Sequence, residues 1–369
     1  MIGGPLSIEL PVGLETPCLV IDLDVVERNA ARMAGLLAER GIALRPHAKT
    51  HKSVRLAQLQ LAAGAAGVTV GTLGEAEVMA GGGISDLFIA YPLWLAGSKA
   101  ERLRALLDRP RLRLSVGVDS AEGAEQLALA VGGRKGLRVL VEVDPGNHRT
   151  GVPPARAGEV ARAARAAGLE VDGLFTHGGH AYAGADRVAA AAADELAALT
   201  AGAQALRSCG IEPRVLSAGS SPTALAAAES PVNEMRPGTY LVGDRQQVAL
   251  GASPPDGVAL AVAATVVSTA VEGQIVIDAG AKSLTKDLPS YLTGYGWLPA
   301  YPEGTIERVS DYHGVVTFPP AAPRPGLGEV VAVVPNHACP VIDLYDSFVA
   351  SRRGEIVGRW PIDARGRSG

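Results

Sequence analysis

Through the first two-thirds of the chain, short apolar runs of β type alternate with longer Ala/Leu/Arg-rich stretches whose apolar positions recur at helical spacing. After a helix expected over Leu23–Arg40, the runs at Ala43–Arg45, Gly67–Val70, Leu87–Ala90 and Leu112–Val118 read as strands. Four more follow at Leu137–Val143, Val171–Thr176, Val215–Ser217 and Glu234–Arg236, with Ala121–Ala130, Ala155–Ala167 and Ala185–Arg207 among the helical stretches between them. Eight strands in βα alternation predict an α/β fold with a parallel sheet. That number suits a closed (β/α)8 TIM-like barrel better than an open doubly wound sheet. No Gly-rich dinucleotide fingerprint follows the first strand, which also argues against a Rossmann domain.

From about Gly251 the pattern changes. Val258–Val267, Gln274–Asp278, Thr305–Val309 and Val330–Val334 read as strands joined by Pro- and Gly-rich turns such as Pro319–Gly328. The apolar run Cys18–Ile21 is grouped with them. The expected organisation is a barrel at 23–250 and a β-rich C-terminal domain at 251–369, joined by residues 1–22.

Composition narrows the class. The 369 residues are 47% apolar and 20% charged, with a net charge of −4, which is ordinary for a folded globular chain. A pI near 6.0, with no basic stripe interleaved with aromatics, argues against nucleic acid as a partner. The longest apolar stretch, Val258–Val271, is too short for a membrane span and includes Ser268 and Thr269. Met1–Pro11 has no basic segment followed by an apolar core, so no signal peptide is expected. Three cysteines (Cys18, Cys209, Cys339) fit a reducing compartment better than a disulfide framework, and a cytoplasmic enzyme is expected. Only six of the 34 basic residues are lysine, which singles out Lys49, Lys52, Lys99, Lys135, Lys282 and Lys286 for inspection.

In such a barrel, reactive groups lie on the loops after the C-terminal ends of the strands, and the polar clusters fall there repeatedly. Arg45-Pro46-His47-Ala48-Lys49-Thr50-His51-Lys52 follows strand one, Asp144 to Arg149 follows strand five, and Thr176-His177-Gly178-Gly179-His180 follows strand six. Ser217 to Thr223 and Arg236-Pro237-Gly238-Thr239-Tyr240 follow strands seven and eight. Glycines there let backbone N–H groups close on a phosphate, with Ser and Thr hydroxyls as further donors. The plain alternative is that Ser220–Thr223 caps a helix. Lys49 is the candidate nucleophile, because a lysine among positive groups at a barrel mouth can form a Schiff base, although a surface ion pair is the commoner fate of a lysine. A phosphate site opposite such a lysine points to pyridoxal 5'-phosphate. Farther along, His337 and Cys339 stand two residues apart after a strand and can ligate one divalent metal, although two ligands alone are an incomplete site.

Taken in order, these motifs resemble the fold-type III pyridoxal phosphate enzymes, in particular the branch holding D-serine dehydratase and D-threonine aldolase. The likeness covers nearly the whole chain. It rests on Thr16-Pro17, Arg45 to Lys52, His148-Arg149-Thr150-Gly151, Thr176 to Tyr182, Arg236 to Tyr240, Asp278-Ala279-Gly280-Ala281-Lys282, and Pro335 to Cys339. The resemblance implies an alanine racemase-like barrel with a C-terminal β domain, paired as a homodimer, acting on small D-amino acids. It makes Lys49 the cofactor lysine and places Arg149 and Tyr182 around the cofactor ring. Gly219, Ser220, Gly238, Thr239 and Tyr240 become phosphate binders, and His337 and Cys339 ligands of zinc, manganese or magnesium.

Aldolase members of the branch tend to place His and Asp at the two ligand positions, whereas dehydratase members place His and Cys. Cys339 therefore favours elimination of water from a D-β-hydroxy-α-amino acid. Cleavage to glycine and an aldehyde, with His177 or His180 as base, is the alternative. A racemase needs no metal, and a non-catalytic pyridoxal-binding protein would lack both the C-terminal domain and the metal pair. Tyr312 departs from the family pattern, because an acidic residue commonly precedes the His of Asp311-Tyr312-His313. Cys18 reads as a core residue and Cys209 as inert. Trp94, Trp297 and Trp360 read as packing or dimer residues, and Lys282 and Lys286 as either solvated or close to an active site across a dimer interface.

Overall fold

The computed structural model describes residues 8–369. Part of the Met1–Pro11 segment and of the 1–22 extension therefore lies outside the described residues. The chain opens with β1 (Cys18–Asp22) and α1 (Leu23–Ala38). Eight strands follow: β2 (Ala43–Leu44), β3 (Val68–Val70), β4 (Asp86–Pro92), β5 (Arg113–Val118), β6 (Leu137–Glu142), β7 (Glu170–Phe175), β8 (Val215–Ala218) and β9 (Glu234–Met235). Between them run α2 (Val54–Ala62), α3 (Leu73–Gly81), α4 (Ser98–Leu107), α5 (Ala121–Val131), α6 (Ala157–Ala166) and α7 (Val188–Arg207). Helix starts follow ordinary capping chemistry: the Thr72 and Ser120 hydroxyls accept the N–H groups of Glu75 and Gly123 at the first turns of α3 and α5.

The eight strands pair in parallel in the order β2-β9-β8-β7-β6-β5-β4-β3. The two ends of that path meet through a parallel bridge between His47 and Thr69, and Thr69 donates its N–H to Pro46. The sheet thus closes on itself, as the eight-strand count predicts. Inside, Phe88 and Phe175 meet edge to face at 5.1 Å between ring centres. Gly117 is required there, because a Cβ would stand 2.6 Å from the Phe175 ring.

The remaining elements are α8 (Arg245–Ala249), β10 (Leu260–Ser268), β11 (Gln274–Ile277), α9 (Ala281–Leu284), β12 (Thr305–Val309), β13 (Gly314–Thr317), β14 (Val330–Val333), α10 (Ala338–Ile342), β15 (Ser347–Arg352) and β16 (Glu355–Pro361). Their sheet runs β12-β13-β11-β10-β1-β15-β16, with β14 also on β10. The opening strand β1 sits inside this sheet. It is antiparallel to β10 (Cys18 opposite Ala263) and parallel to β15 (Val20 opposite Val349). β13, β15 and β16 were not anticipated from the pattern. β13 has only four residues, and the edge strand β16 is mostly exposed and mixes Glu, Gly, Arg and Pro into its apolar positions.

By compactness the chain divides into two units. One holds the described residues up to Ala30, Thr50–Arg55 and Thr239–Arg365, and the other holds Ala31–Lys49, Leu56–Gly238 and Gly366–Gly369.

Candidate functional site

In the barrel unit, the loops after the strands carry the candidate groups. Lys49 lies in a single 3-10 turn, Ala48–Thr50, just past β2 and exposed to solvent. The turn is held from behind by the His47 N–H, which donates to the Pro237 carbonyl, and by the Lys49 N–H, which donates to His47 Nδ1 at 3.3 Å. His177 leaves the end of β7 partly covered. Burial, followed by the positive charges of Lys49, Arg149, Arg236 and His180, holds its imidazole well below the usual titration range and hence neutral. Lys49, Arg149, His177 and His180 thus share one electrostatic neighbourhood. Arg149 is exposed on the loop after β6, whose turn is set by Asp144 accepting the N–H groups of Gly146 and His148. His180 Nε2 meets Asp194 at 3.1 Å, while its Nδ1 is buried without a hydrogen-bond partner. Tyr182 is half-buried in the same short 3-10 turn, Gly179–Ala183.

The small-residue loops after β8 and β9 are buried. Gly219 has a left-handed backbone (φ +93°), and a Cβ there would stand 2.6 Å from Met235 Sδ, so only glycine fits. No helix begins at Ser220. The Thr223 hydroxyl instead accepts the Ser220 N–H at 3.0 Å and closes a turn. The Ser221 hydroxyl accepts the Gly238 N–H at 3.3 Å, bringing the two loops together.

Three side chains to which the sequence gives no assigned role hold this mouth in place. Arg236 is buried, donates to the Ser217 hydroxyl and the Thr176 carbonyl, and lies 5.4 Å from the Phe175 ring centre. Glu195, on α7, accepts N–H groups from Gly178 and Gly219 at 2.7 and 3.1 Å. Glu142, at the end of β6, accepts from the Thr150 hydroxyl at 2.9 Å, and burial pushes its carboxyl up to about 7. Each had a signal. Glu195 interrupts the apolar stripe of an Ala-rich helix, and Glu142 ends an apolar strand. Arg45, first of the strand-one cluster, is a strut: it bridges Asp86 at 2.6 Å and Glu234 at 2.7 Å.

The second unit carries the histidine–cysteine pair. His337 stands at the N-cap position of α10, and its Nδ1 meets Asp287 at 2.8 Å, which orients the ring as a carboxylate behind a metal-binding histidine does. Although burial favours the neutral ring, hydrogen bonds to Asp287 and Cys339 push His337 up to about 10. The Cys339 thiol donates to the Thr50 hydroxyl at 3.3 Å and lies 3.7 Å from that of Thr239, whose neighbour Tyr240 is buried. Asp244 is fully buried and accepts the N–H groups of Ala338 and Gln247, fixing the start of α10; burial pushes its carboxyl up to about 6. Lys52, with a left-handed backbone (φ 50°), pairs with both oxygens of Asp343 just beyond α10. Lys282 is exposed, donating to the Tyr312 hydroxyl at 3.0 Å.

These groups fit the cofactor and metal that the motifs imply. The mouth combines the Lys49 amine, an arginine, a neutral imidazole and glycine-containing backbone loops, groups suited to a phosphorylated aldehyde. The pair offers one imidazole and one thiol, a donor set suited to zinc. Among the described residues no group of three or more His, Cys, Asp or Glu forms a closed cage.

Comparison with known proteins extends over the whole chain. Residues 21–246 match the family described as alanine racemase, N-terminal domain, and residues 259–351 match the putative serine dehydratase domain. The sequence is 34% identical to D-threo-3-hydroxyaspartate dehydratase of Delftia sp. (strain HT23), covering 94% of this chain and 97% of that one. The fold is similar to the crystal structure of D-threonine aldolase from Filomicrobium marinum, with a TM-score of 0.88 at 32% identity over 99% of this chain and 100% of the other. It is also similar to a cysteine-to-alanine mutant of D-threo-3-hydroxyaspartate dehydratase in the metal-free form, with a TM-score of 0.85 at 32% identity over 95% and 97% of the two chains.

Proposed function

The chain belongs to the fold-type III pyridoxal phosphate lyases that join an alanine racemase N-terminal domain to a serine dehydratase domain, and on that premise we propose that it dehydrates D-β-hydroxy-α-amino acids to a 2-oxo acid and ammonia. The observation that carries the choice of reaction is the pairing of His337 with Cys339, the combination typical of the dehydratase members.

Bound pyridoxal phosphate supplies an electron sink that acidifies Cα–H, and a divalent metal supplies a Lewis acid for the β-hydroxyl. The residues of this chain do the rest. Lys49 would hold the cofactor through its amine and would act as the base that takes the α-proton. Arg149 and Tyr182 orient the ring, and Gly219, Ser220, Gly238, Thr239 and Tyr240 hold the phosphate. His337 and Cys339 hold the metal, with Asp287 fixing the imidazole.

A second reading, retro-aldol cleavage to glycine and an aldehyde with His177 or His180 as base, is supported by the place of both histidines just beyond β7, in the same electrostatic neighbourhood as Lys49. A homodimer in a reducing cytoplasm completes the proposal, supported by the family likeness and by three cysteines that remain thiols.

Purified protein with pyridoxal phosphate and Mn²⁺ or Zn²⁺ should be given D-serine, D-threonine and D-3-hydroxyaspartate, with oxo acid plus ammonia and glycine plus aldehyde assayed in parallel. Oxo acid and ammonia are expected. Glycine instead would replace the dehydratase reading with the aldolase one. Lys49→Ala is expected to lose the cofactor absorbance band.

A further inference from the structure

Glu195 is 0% exposed on the barrel face of α7, yet the chemistry assigned to the mouth gives it no part. One of its oxygens, Oε1, accepts two backbone N–H groups that belong to different strand ends: Gly178 beyond β7, at 2.7 Å, and Gly219 beyond β8, at 3.1 Å. Gly178 directly follows His177, and Gly219 directly precedes Ser220. The same two strand ends are tied one step deeper by Arg236, whose guanidinium donates to the Thr176 carbonyl and the Ser217 hydroxyl. The charges of Glu195 and Arg236 act on one another within this buried layer.

The fit around Glu195 is tight from the loop side as well. A Cβ on Gly178 would stand 2.9 Å from Glu195 Cδ and 3.3 Å from the Ala191 carbonyl. Gly178 has φ −75°, which any residue can adopt. Its side chain is therefore excluded by the carboxyl and not by backbone strain. This is the arrangement of a shared acceptor that fixes how far apart two loops stand.

We propose that Glu195 is a positioning residue that sets the spacing between the His177 loop and the Gly219–Ser220 loop by accepting one backbone N–H from each. This rests on the reading that the mouth binds pyridoxal phosphate. A carboxylate in this role acts only as an acceptor, and a glutamine oxygen can accept the same two N–H groups, whereas alanine leaves both buried and unpaired.

The test titrates pyridoxal phosphate into apoprotein of the wild type, Glu195→Gln and Glu195→Ala, following the cofactor absorbance band, with far-UV circular dichroism to confirm folding. Glu195→Ala is expected to raise the cofactor dissociation constant at least about tenfold, and Glu195→Gln to stay within about threefold of wild type. Gly178→Ala perturbs the contact from the other side and is expected to weaken cofactor binding likewise. It decides the matter if Glu195→Ala does not fold. Folded Glu195→Ala that binds as tightly as wild type, Glu195→Gln as weak as Glu195→Ala, or Gly178→Ala with unchanged affinity would each overturn the proposal. A wild-type protein that takes up no pyridoxal phosphate would instead overturn the cofactor reading on which it rests.

Discussion

At Glu142 two influences compete. Burial raises the carboxyl to about 7, while the Thr150 hydroxyl and the Arg149 charge pull in the other direction. The folded chain thus keeps a proton that the unfolded chain releases near its ordinary value of 4.5. Stability from this group is complete below that value and declines as pH rises towards 7, by about 3 kcal/mol at most. In apoprotein, Glu142→Gln should lack this decline, so its melting temperature should gain on wild type between the two pH values. An unchanged difference would mean that Glu142 is charged throughout. The candidate reactive residues stand out in the sequence, because Lys, His and Cys in Gly-rich clusters contrast with an Ala/Arg background. The supports Glu142, Glu195, Arg236 and Asp287 were not assigned, because each acts through a tertiary contact that no local motif marks, and for all but Glu142 the partner is far away in the chain. Glu195 reaches Gly178 across 17 positions, and His337 reaches Asp287 across 50.

The long helix α7 shows what an element contributes. Ala191, Glu195, Ala198, Gly202 and Leu206 form its buried stripe, and a Cβ on Gly202 would approach Leu174 Cδ1 to 2.9 Å and Val143 Cγ1 to 3.2 Å. The helix therefore packs close to the sheet, which is what brings Glu195 within reach of two loops. Gly202→Val is expected to cost roughly 1–3 kcal/mol through overpacking, read as a lower urea midpoint at an unchanged slope. No shift would mean that the packing yields easily at that point. All eight barrel strands and the helices flanking them could be read from alternating periodicity, since buried parallel strands are continuous apolar runs. In the second sheet, periodicity found β1, β10, β11, β12 and β14; it missed β13, which has four residues, the mostly exposed edge strand β16, and β15, whose short buried core Phe348–Ala350 lies between polar ends.

For the whole molecule, the division of labour between the two sets of residues is open to measurement. Removing divalent metal with a chelator is expected to abolish turnover and leave the cofactor absorbance band, and Mn²⁺ or Zn²⁺ should restore activity. Full activity in chelator would remove His337 and Cys339 from the reaction. Light scattering of the holoenzyme is expected to give twice the 37.8 kDa chain mass, and a value near the chain mass would rule out the dimer.

The place of β1 between β10 and β15 also has a consequence in time. The ribosome makes Val20 about 330 residues before its partner Val349, which at 5–20 residues per second is a wait of roughly 20–60 s. All eight barrel strands leave the ribosome during that interval, while the first strand has neither neighbour. In the finished protein Cys18 is 4% exposed, packed with Val20, Ala263 and Val349. On a nascent chain halted before Leu260 its thiol should still react with a maleimide. Cys18 is thus a natural timer for when the last sheet closes during synthesis.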